Sequence, residues 1–471
     1  MKRDLTQGPV TRTMVWFAVP MILGNLLQQC YNIADTLIVG RFLGADALAA
    51  VGSAYTLMTF LTSILLGLCM GSGALFSIRF GQRDETGLKR DLCASFALIA
   101  GLTVVLNAGV FWGIDGIIRF LRVPDSVYGL MREYLSVIFF GLAATFLYNY
   151  FASLLRAVGN SVAPLLFLAV SAVLNIGLDL WFVLGLDRGV AGAAEATVIS
   201  QYVSGLGLGL YSWFKCPELR PAREHLRVSA ASLREIASFS VLTCVQQSVM
   251  NFGILMVQGL VNSFGPTVMA AFAAAVKIDS FAYMPVQDFG NAFSTFIAQN
   301  YGAQKQDRIR TGIKSAVTIS LVFCLAVSAA VWVLAKPLML LFVQPEETQI
   351  IAEGVRYLHI EGAFYCGIGC LFLLYGLYRA VGRPGMSVVL TVISLGTRVG
   401  LAYLLAGVPA LGVTGIWWSV PIGWFLADAA GVLYYRVRRG VLFCTADRQC
   451  DAVTAKTEEK AYPEVIPEID R

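Results

Sequence analysis

Residues 13–38 read TMVWFAVPMILGNLLQQCYNIADTLI, an apolar stretch that carries a single charged side chain, Asp35. An α-helix needs about 20 predominantly apolar residues to cross a bilayer, so this stretch is long enough to span a membrane. It is continuous rather than alternating between apolar and polar positions, which indicates a helix and not a barrel strand. Because it is long, contains Asp35 and is followed by no small-residue cleavage site, we do not expect a cleaved signal sequence.

The same pattern extends over most of the 471 residues, of which 57% are hydrophobic and only 14% are charged. The mean hydropathy is +0.70. A soluble protein of this composition could not cover its surface with polar groups. We therefore predict an all-α membrane protein with twelve transmembrane helices. The predicted spans are 13–38, 53–78, 93–114, 128–152, 162–184, 190–214, 235–262, 268–298, 312–334, 350–378, 386–406 and 413–437.

The distribution of Lys and Arg predicts the orientation of the chain. With the N-terminus inside, 26 of the 35 Lys and Arg residues fall in inner segments, 7 in outer segments and 2 within spans. Such a bias places both termini in the cytoplasm and supports an even number of spans. We expect a multi-pass protein of the inner or plasma membrane.

The two halves of the sequence resemble each other. Leu155-Arg-Ala-Val-Gly159 recurs as Tyr378-Arg-Ala-Val-Gly382, and Gly189-Val-Ala-Gly192 as Gly412-Val-Thr-Gly415, both at an offset of 223. Six spans in each half give the halves the same orientation, so we predict two six-helix bundles related by a parallel repeat around a central cavity, as in transporters. The predicted parts are an N-terminal lobe (1–214), a cytoplasmic connecting loop (215–234), a C-terminal lobe (235–439) and a flexible cytoplasmic tail (440–471).

Polar side chains share one face of the first span and one face of the fifth. Gln28, Tyr31 and Asp35 are spaced i, i+3 and i+7, and Asn175 and Asp179 are spaced i, i+4. An ionised carboxylate at membrane depth is costly unless it is paired, coordinated or hydrated, so intramembrane acids indicate function. Two carboxylates facing one cavity disfavour double ionisation.

Such a carboxylate pair can take a proton near neutral pH, or it can bind Na⁺ together with neutral oxygens. Thr197 in the sixth span is a candidate further ligand. The equivalent positions of the second half hold Met256 in place of Asp35 and Ala402 in place of Asp179, so the acids are not demanded by the repeat itself. The alternative is that both acids cap broken helices or bond to neighbouring backbone.

The second half has its own charged residues in the spans. Two cations need carboxylate partners and three acids are available, so an internal salt-bridge network is the simpler interpretation, with a second ion site as the alternative. These residues are Lys277, Asp279, Asp288, Glu361 and Arg398.

Pro20 lies well inside the first span. It removes a helix hydrogen bond and favours a bend. The bend is either a static kink or a hinge that moves the face carrying Asp35.

Motifs for enzymatic chemistry are missing from the sequence. There is no HExxH zinc motif, no phosphate-binding loop and no spacing typical of an intramembrane nucleophile with its base. We therefore expect neither an enzyme nor a bound cofactor.

Pro20, the Gln28/Tyr31/Asp35 face, Asn175-x-x-x-Asp179 and the stretch Ala298-Gln-Asn-Tyr-Gly-Ala303 together resemble the multidrug and toxic compound extrusion (MATE) family. The resemblance covers about residues 5–440, and the polar set is most similar to the DinF-like branch. It implies a secondary antiporter that exchanges H⁺ or Na⁺ for cationic or amphipathic organic compounds by alternating access.

Carried over by position, the resemblance also implies roles for individual residues. Asp35, Asn175, Asp179 and Thr197 would form the cation site, which would hold Na⁺ if Na⁺ is the coupling ion. Gln28 and Tyr31 would line the adjacent substrate cavity with Asp35, and Pro20 would be the bend. The expected partners are small organic compounds and membrane lipid, with no nucleic acid, and the expected state is a monomer.

A lipid-linked oligosaccharide flippase of related architecture is the alternative. It would need a more basic central cavity to hold a pyrophosphate, and Lys277 and Arg398 are the candidates for that role.

Overall fold

The computed structural model describes residues 4–120, 125–226 and 230–443. Within them the chain forms fourteen α-helices joined by short connections, and no strand is present among these residues. The helices are α1 (Val10–Phe42), α2 (Ala45–Gln82), α3 (Glu85–Phe120), α4 (Asp125–Ile138), α5 (Gly141–Ala157), α6 (Val162–Leu180), α7 (Gly189–Lys215), α8 (Ala230–Asn262), α9 (Pro266–Gly302), α10 (Gln306–Met339), α11 (Thr348–Gly362), α12 (Tyr365–Ala380), α13 (Pro384–Ala406) and α14 (Val413–Leu442).

Nine helices in the described ranges are long and apolar enough to cross a membrane, and two bent pairs bring that number to eleven. The members of one pair, α4 and α5, meet at 44°, and those of the other, α11 and α12, meet at 51°. The two breaks fall at equivalent places in the two halves. The remaining long helix, α7, has 27 residues, enough to span a bilayer by length. Each predicted span thus corresponds to one helix or one bent pair, and the predicted all-α membrane fold is confirmed.

The buried apolar side chains form two clusters. One cluster is made of residues between 39 and 219 and lies within the first half. The other is made mainly of residues between 236 and 442, but it also includes Leu5, Met14 and Ala74 from the first half. The second cluster therefore continues across the boundary between the halves, where α1 and α2 contact α8 and α9.

The closest approach between the halves involves two glycines at the C-terminal ends of α2 and α9. A Cβ atom at Gly81 would collide with the carbonyl oxygen of Gln299, and a Cβ at Gly302 would collide with the carbonyl oxygen of Ile78. The two glycines are 221 residues apart, and so are Ile78 and Gln299, so the two contacts are equivalent under the repeat. Only glycine permits this backbone approach. The halves are therefore closed against each other at this end of the helices.

A short segment before α1, residues 4–8, lies against the second half at the same end. The backbone N–H of Leu5 donates to Oε1 of Gln299 at 3.1 Å, and the Leu5 carbonyl accepts from Asn300 and from Arg308. Arg308 also donates to the carbonyl of Gly8 at 2.6 Å. The Leu5 side chain is fully buried. This segment, which we call the N-terminal strap, thus ties the start of α1 to α9 and α10.

Two predicted boundaries shift. The helix α8 begins at Ala230, so the polar connection is shorter than the predicted 215–234 and contains two short 3₁₀ turns, Pro217–Leu219 and Arg223–Leu226. The helix α14 continues to Leu442, beyond the predicted end of the lobe at 439. The part of the predicted tail at 444–471 lies outside the described residues.

Candidate functional site

Asp35 and Asp179 lie next to each other between α1 and α6. Their carboxyl groups interact electrostatically with each other. Asp179 is completely buried, and no donor among the described residues reaches either of its oxygens or Oδ1 of Asp35. Two carboxylates this close cannot both be ionised cheaply, so the site favours either a shared proton or a bound cation.

The ends of α6 and α7 bring neutral oxygens to the same place. Asn175 lies one turn before Asp179, on the same face of α6. Its side-chain nitrogen donates to the hydroxyl of Thr197 on α7 at 3.3 Å, and its side-chain oxygen is buried without a donor. A turn of π-helix, Trp181–Gly185, follows Asp179 directly. Such turns often occur at functional sites.

The oxygens of this site suit a hard cation. The structure places carboxylates from two helices beside an amide oxygen and a hydroxyl, and Na⁺ and H⁺ both prefer oxygen ligands. No group of three His, Cys, Asp or Glu side chains that could hold a metal ion occurs in the part of the chain that the structure describes.

The predicted cavity residues of α1 lie beside the carboxyl pair. Gln28 and Tyr31 lie one turn apart on the same face of α1, and Tyr31 interacts electrostatically with Asp35. Tyr134 on α4 is buried and interacts electrostatically with both carboxyl groups, although no pattern in the sequence pointed to it. A residue on a third helix can be assigned to a site only when the packing of the helices is known.

Pro20 lies inside α1, which continues as one helix from Val10 to Phe42. It is half-exposed, and the polar face with Asp35 begins more than two turns further along the helix. Its role as a hinge stays a prediction.

The structure does not bring the five charged residues of the second half into one network. Asp279 of α9 and Glu361 of α11 are buried together. The hydroxyl of Tyr357 lies 2.7 Å from a carboxyl oxygen of Asp279 and 2.8 Å from one of Glu361, and it can donate its single proton to only one of them. Tyr365 donates to Asp279 as well. These tyrosines take the place that the salt-bridge interpretation assigned to basic residues, although Oε1 of Glu361 has no hydrogen-bond partner among the described residues.

Lys277 and Asp288 lie apart from that pair. Lys277 precedes Asp279 by two residues and therefore faces away from it on the helix. Its ammonium lies 6.0 Å from the centre of the Phe342 ring. Asp288 lies at the boundary of the halves, where Asn25 of α1 donates to it. Among the described residues, no ion pair within 4.0 Å joins Lys277 or Arg398 to a carboxylate.

The sequence analysis did not single out Asp428, a buried acid within the last predicted span. Asp428 of α14 is 8% exposed, and its side chain contacts the thiol of Cys370, while its Oδ1 atom has no donor. It lies within the predicted span 413–437, so a search for acids in every span would have found it.

The comparisons with known proteins agree on one family. The family model MatE matches residues 20–181 and 241–404, once in each half. The probable multidrug resistance protein YpnP of Bacillus subtilis is 32% identical over 441 residues, which cover 93% of this chain and 97% of that protein. The multidrug export protein MepA of Staphylococcus aureus is 24% identical over 91% of this chain and 94% of its own length.

Solved structures show the same architecture. A MOP superfamily transporter from Pyrococcus furiosus, whose title reports a reversed polarity of the binding pocket, has a TM-score of 0.88 at 25% identity, with 94% of this chain and 98% of that chain covered. A multidrug resistance MATE family transporter in an outward-facing conformation has a TM-score of 0.86 at 25% identity, with 93% and 98% covered.

The fold is therefore that of a multi-pass membrane transporter with twelve helices in two bundles. The chain belongs to the MatE family, the multidrug and toxic compound extrusion transporters. The predicted family is confirmed, and its members are transporters and not enzymes. Membership of the DinF-like branch stays a prediction.

Proposed function

We propose that this protein is a secondary active multidrug efflux antiporter that exchanges H⁺ or Na⁺ for cationic or amphipathic organic compounds. The observation that carries the proposal is the pair Asp35 and Asp179, two carboxyl groups that lie together at membrane depth and form no ion pair with a basic residue in the part of the chain that the structure describes. Asn175 and Thr197 complete the cation site. The names of YpnP and MepA, a multidrug resistance protein and a multidrug export protein, support the class of substrate.

The coupling follows from competition for the carboxyl pair. A cation at Asp35 and Asp179 neutralises the pair and removes the negative charge that would attract a cationic substrate lying beside Gln28 and Tyr31. A ligand can shift the balance between two conformations only when its affinity differs between them. The coupling ion and the organic cation compete for the negative charge of the carboxyl pair, so binding of one excludes the other. Each of them can then stabilise a different conformation. Alternating access then moves each of them in one direction.

The distribution of Lys and Arg supports an orientation with both termini in the cytoplasm of the inner or plasma membrane. In that orientation the closed end, with Gly81 and Gly302, faces the cytoplasm and the structure is the outward-facing state. The likeness to a transporter solved in an outward-facing conformation supports this assignment. The protein would act as a monomer in lipid, with the coupling ion as its only inorganic ligand and without a nucleic-acid partner.

The flippase alternative depends on basic residues in a central cavity. Lys277 is exposed beside the Phe342 ring, and Arg398 stands near two carboxyl groups. The two acids near Arg398 would repel a pyrophosphate, so this position favours the antiporter.

The test is substrate efflux from proteoliposomes with proton and sodium gradients imposed separately. We expect one gradient to drive efflux, and we expect Asp35→Asn and Asp179→Asn each to abolish it. Asp187→Asn is the matched control, because it makes the same change at an exposed position beyond the π-helical turn. Efflux that neither gradient drives, or that survives in both site variants, would refute the proposal.

A further inference from the structure

Arg398 occupies the place in the second half that Asn175 occupies in the first. The two residues are 223 apart, which is the offset of the repeat in this region, and they lie on the equivalent helices α13 and α6. Asn175 is a neutral member of the cation site. Its counterpart therefore puts a permanent positive charge at the corresponding position of the second half.

The second half also has its own carboxyl pair near that position. Asp279 and Glu361 are each 3% exposed, and the Tyr357 hydroxyl lies 2.7 Å from Asp279 and 2.8 Å from Glu361. A hydroxyl has one proton, so Tyr357 can donate to one carboxyl group while the other carries a proton and donates to the Tyr357 oxygen. The pair then keeps a single negative charge. An uncompensated charge at such depth would be costly.

The guanidinium of Arg398 supplies the compensation. It interacts electrostatically with both Asp279 and Glu361, although no ion pair within 4.0 Å is formed. Arg398 is half-buried, and its Nε atom is buried without a hydrogen-bond partner among the described residues. Arg does not lose its proton in proteins. The cluster of two acids and one guanidinium is therefore neutral without any bound ion.

We propose that Arg398 is a built-in counter-ion that keeps the carboxyl pair of the second half from binding an exchangeable cation, so that ion exchange is confined to Asp35 and Asp179. Arg398 thus determines the number of ions exchanged per cycle. This inference rests on the proposed antiport. It explains how two halves with a carboxyl pair each can have a single coupling site.

The test counts the cations that the purified full-length protein holds in lipid nanodiscs at one fixed pH. Protonated carboxyl groups are counted from their infrared C=O absorption, and bound sodium from ²²Na⁺ binding. We expect Arg398→Gln to hold one more cation than the wild type, either a proton or Na⁺. Arg398→Lys keeps the charge and should keep the wild-type number. The double variant Glu361→Gln/Arg398→Gln should return to the wild-type number, because one acid is removed with the base.

An unchanged number of cations in Arg398→Gln would overturn the inference. If Arg398→Gln is too unstable to purify, thermal melting in membranes is the measurement. We expect the double variant Glu361→Gln/Arg398→Gln to melt at a higher temperature than Arg398→Gln. A double variant that melts no higher would also overturn the inference.

Failure of the antiport itself gives a different result. In that case the wild type shows no gradient-driven efflux, whereas Arg398→Gln still gains its additional cation. The double variant Asp35→Asn/Arg398→Gln distinguishes the two sites. It should still hold the additional cation, because that cation binds at Asp279 and Glu361 and not at Asp35.

Discussion

The side chain of Asn25 donates a hydrogen bond to the carboxylate of Asp288, and this bond joins the two halves of the molecule. Asn25 lies on α1 and Asp288 on α9. The second carboxylate oxygen of Asp288 is buried without a donor, and Arg156 at the end of α5 provides a nearby positive charge. The boundary of the two halves is therefore held by polar contacts between α1 and α9 as well as by the close backbone packing at Gly81 and Gly302.

We expect Asn25→Ala to weaken the closed state, because it leaves a buried carboxylate oxygen without its donor. The loss should be about 1–3 kcal/mol, the usual cost of an unsatisfied buried group. The hydroxyls of Ser72 and Ser240 meet across the same boundary at 2.8 Å, so their positions can report on closure. In a chain without other cysteines, oxidative cross-linking of Ser72→Cys with Ser240→Cys should fall when Asn25→Ala is added. An undiminished yield would mean that the bond contributes little to closure.

We expect Gly81→Ala to prevent full closure, because the new methyl group would collide with the backbone at Gln299. Transport should be lost while the protein still folds, and cross-linking between the halves should decrease. Gly101→Ala is the control, since a Cβ at that position of α3 meets no atom within 4 Å. Equal activity of the two variants would contradict the close packing at Gly81.

We expect Thr197→Val to separate sodium coupling from proton coupling. Na⁺ needs several oxygen ligands, whereas a proton needs only one acceptor, so loss of the Thr197 hydroxyl should lower Na⁺ affinity about tenfold and leave a proton-driven exchange intact. The measurement is ²²Na⁺ binding together with efflux under each gradient. Thr197→Ser retains the oxygen and should behave as the wild type. If both gradients lose their effect equally, Thr197 has a packing role.

We expect Tyr357→Phe to destabilise the second half, because the Tyr357 hydroxyl is within hydrogen-bonding distance of both Asp279 and Glu361. Loss of a donor to buried carboxyl groups costs about 1–3 kcal/mol, which a thermal melt would register as a lower midpoint. Tyr403→Phe on the exposed surface of α13 makes the same chemical change and should leave the midpoint unchanged. A midpoint equal to that of the control would show that the carboxyl pair does not need this donor.

Hydropathy was sufficient to predict the helices, and the repeat was sufficient to predict that the halves would match, because both depend on local sequence. The meeting of Asp35 with Asp179 could be anticipated since each lies on a polar face that has to avoid lipid. The partners of Asp288 and of Glu361 could not be predicted. Asn25 contacts Asp288 only in a conformation that is closed at this end, and Glu361 reaches Asp279 only through the packing of α11 on α9.

Lys277 illustrates why counting charges is not enough. The sequence offered three acids for two bases, which favoured a salt-bridge network. Helix geometry turns Lys277 away from Asp279, and tyrosine hydroxyls take the place of the base. Tyrosine has no charge to count, so its contribution appears only when the side chains are placed.

The N-terminal strap bears on how the protein should be handled. Arg308 and Gln299 hydrogen-bond to the backbone of residues 5–8, so a group attached close to Asp4 would lie beside these contacts. A purification tag or fluorescent reporter placed there would weaken the attachment of α1 to the second half.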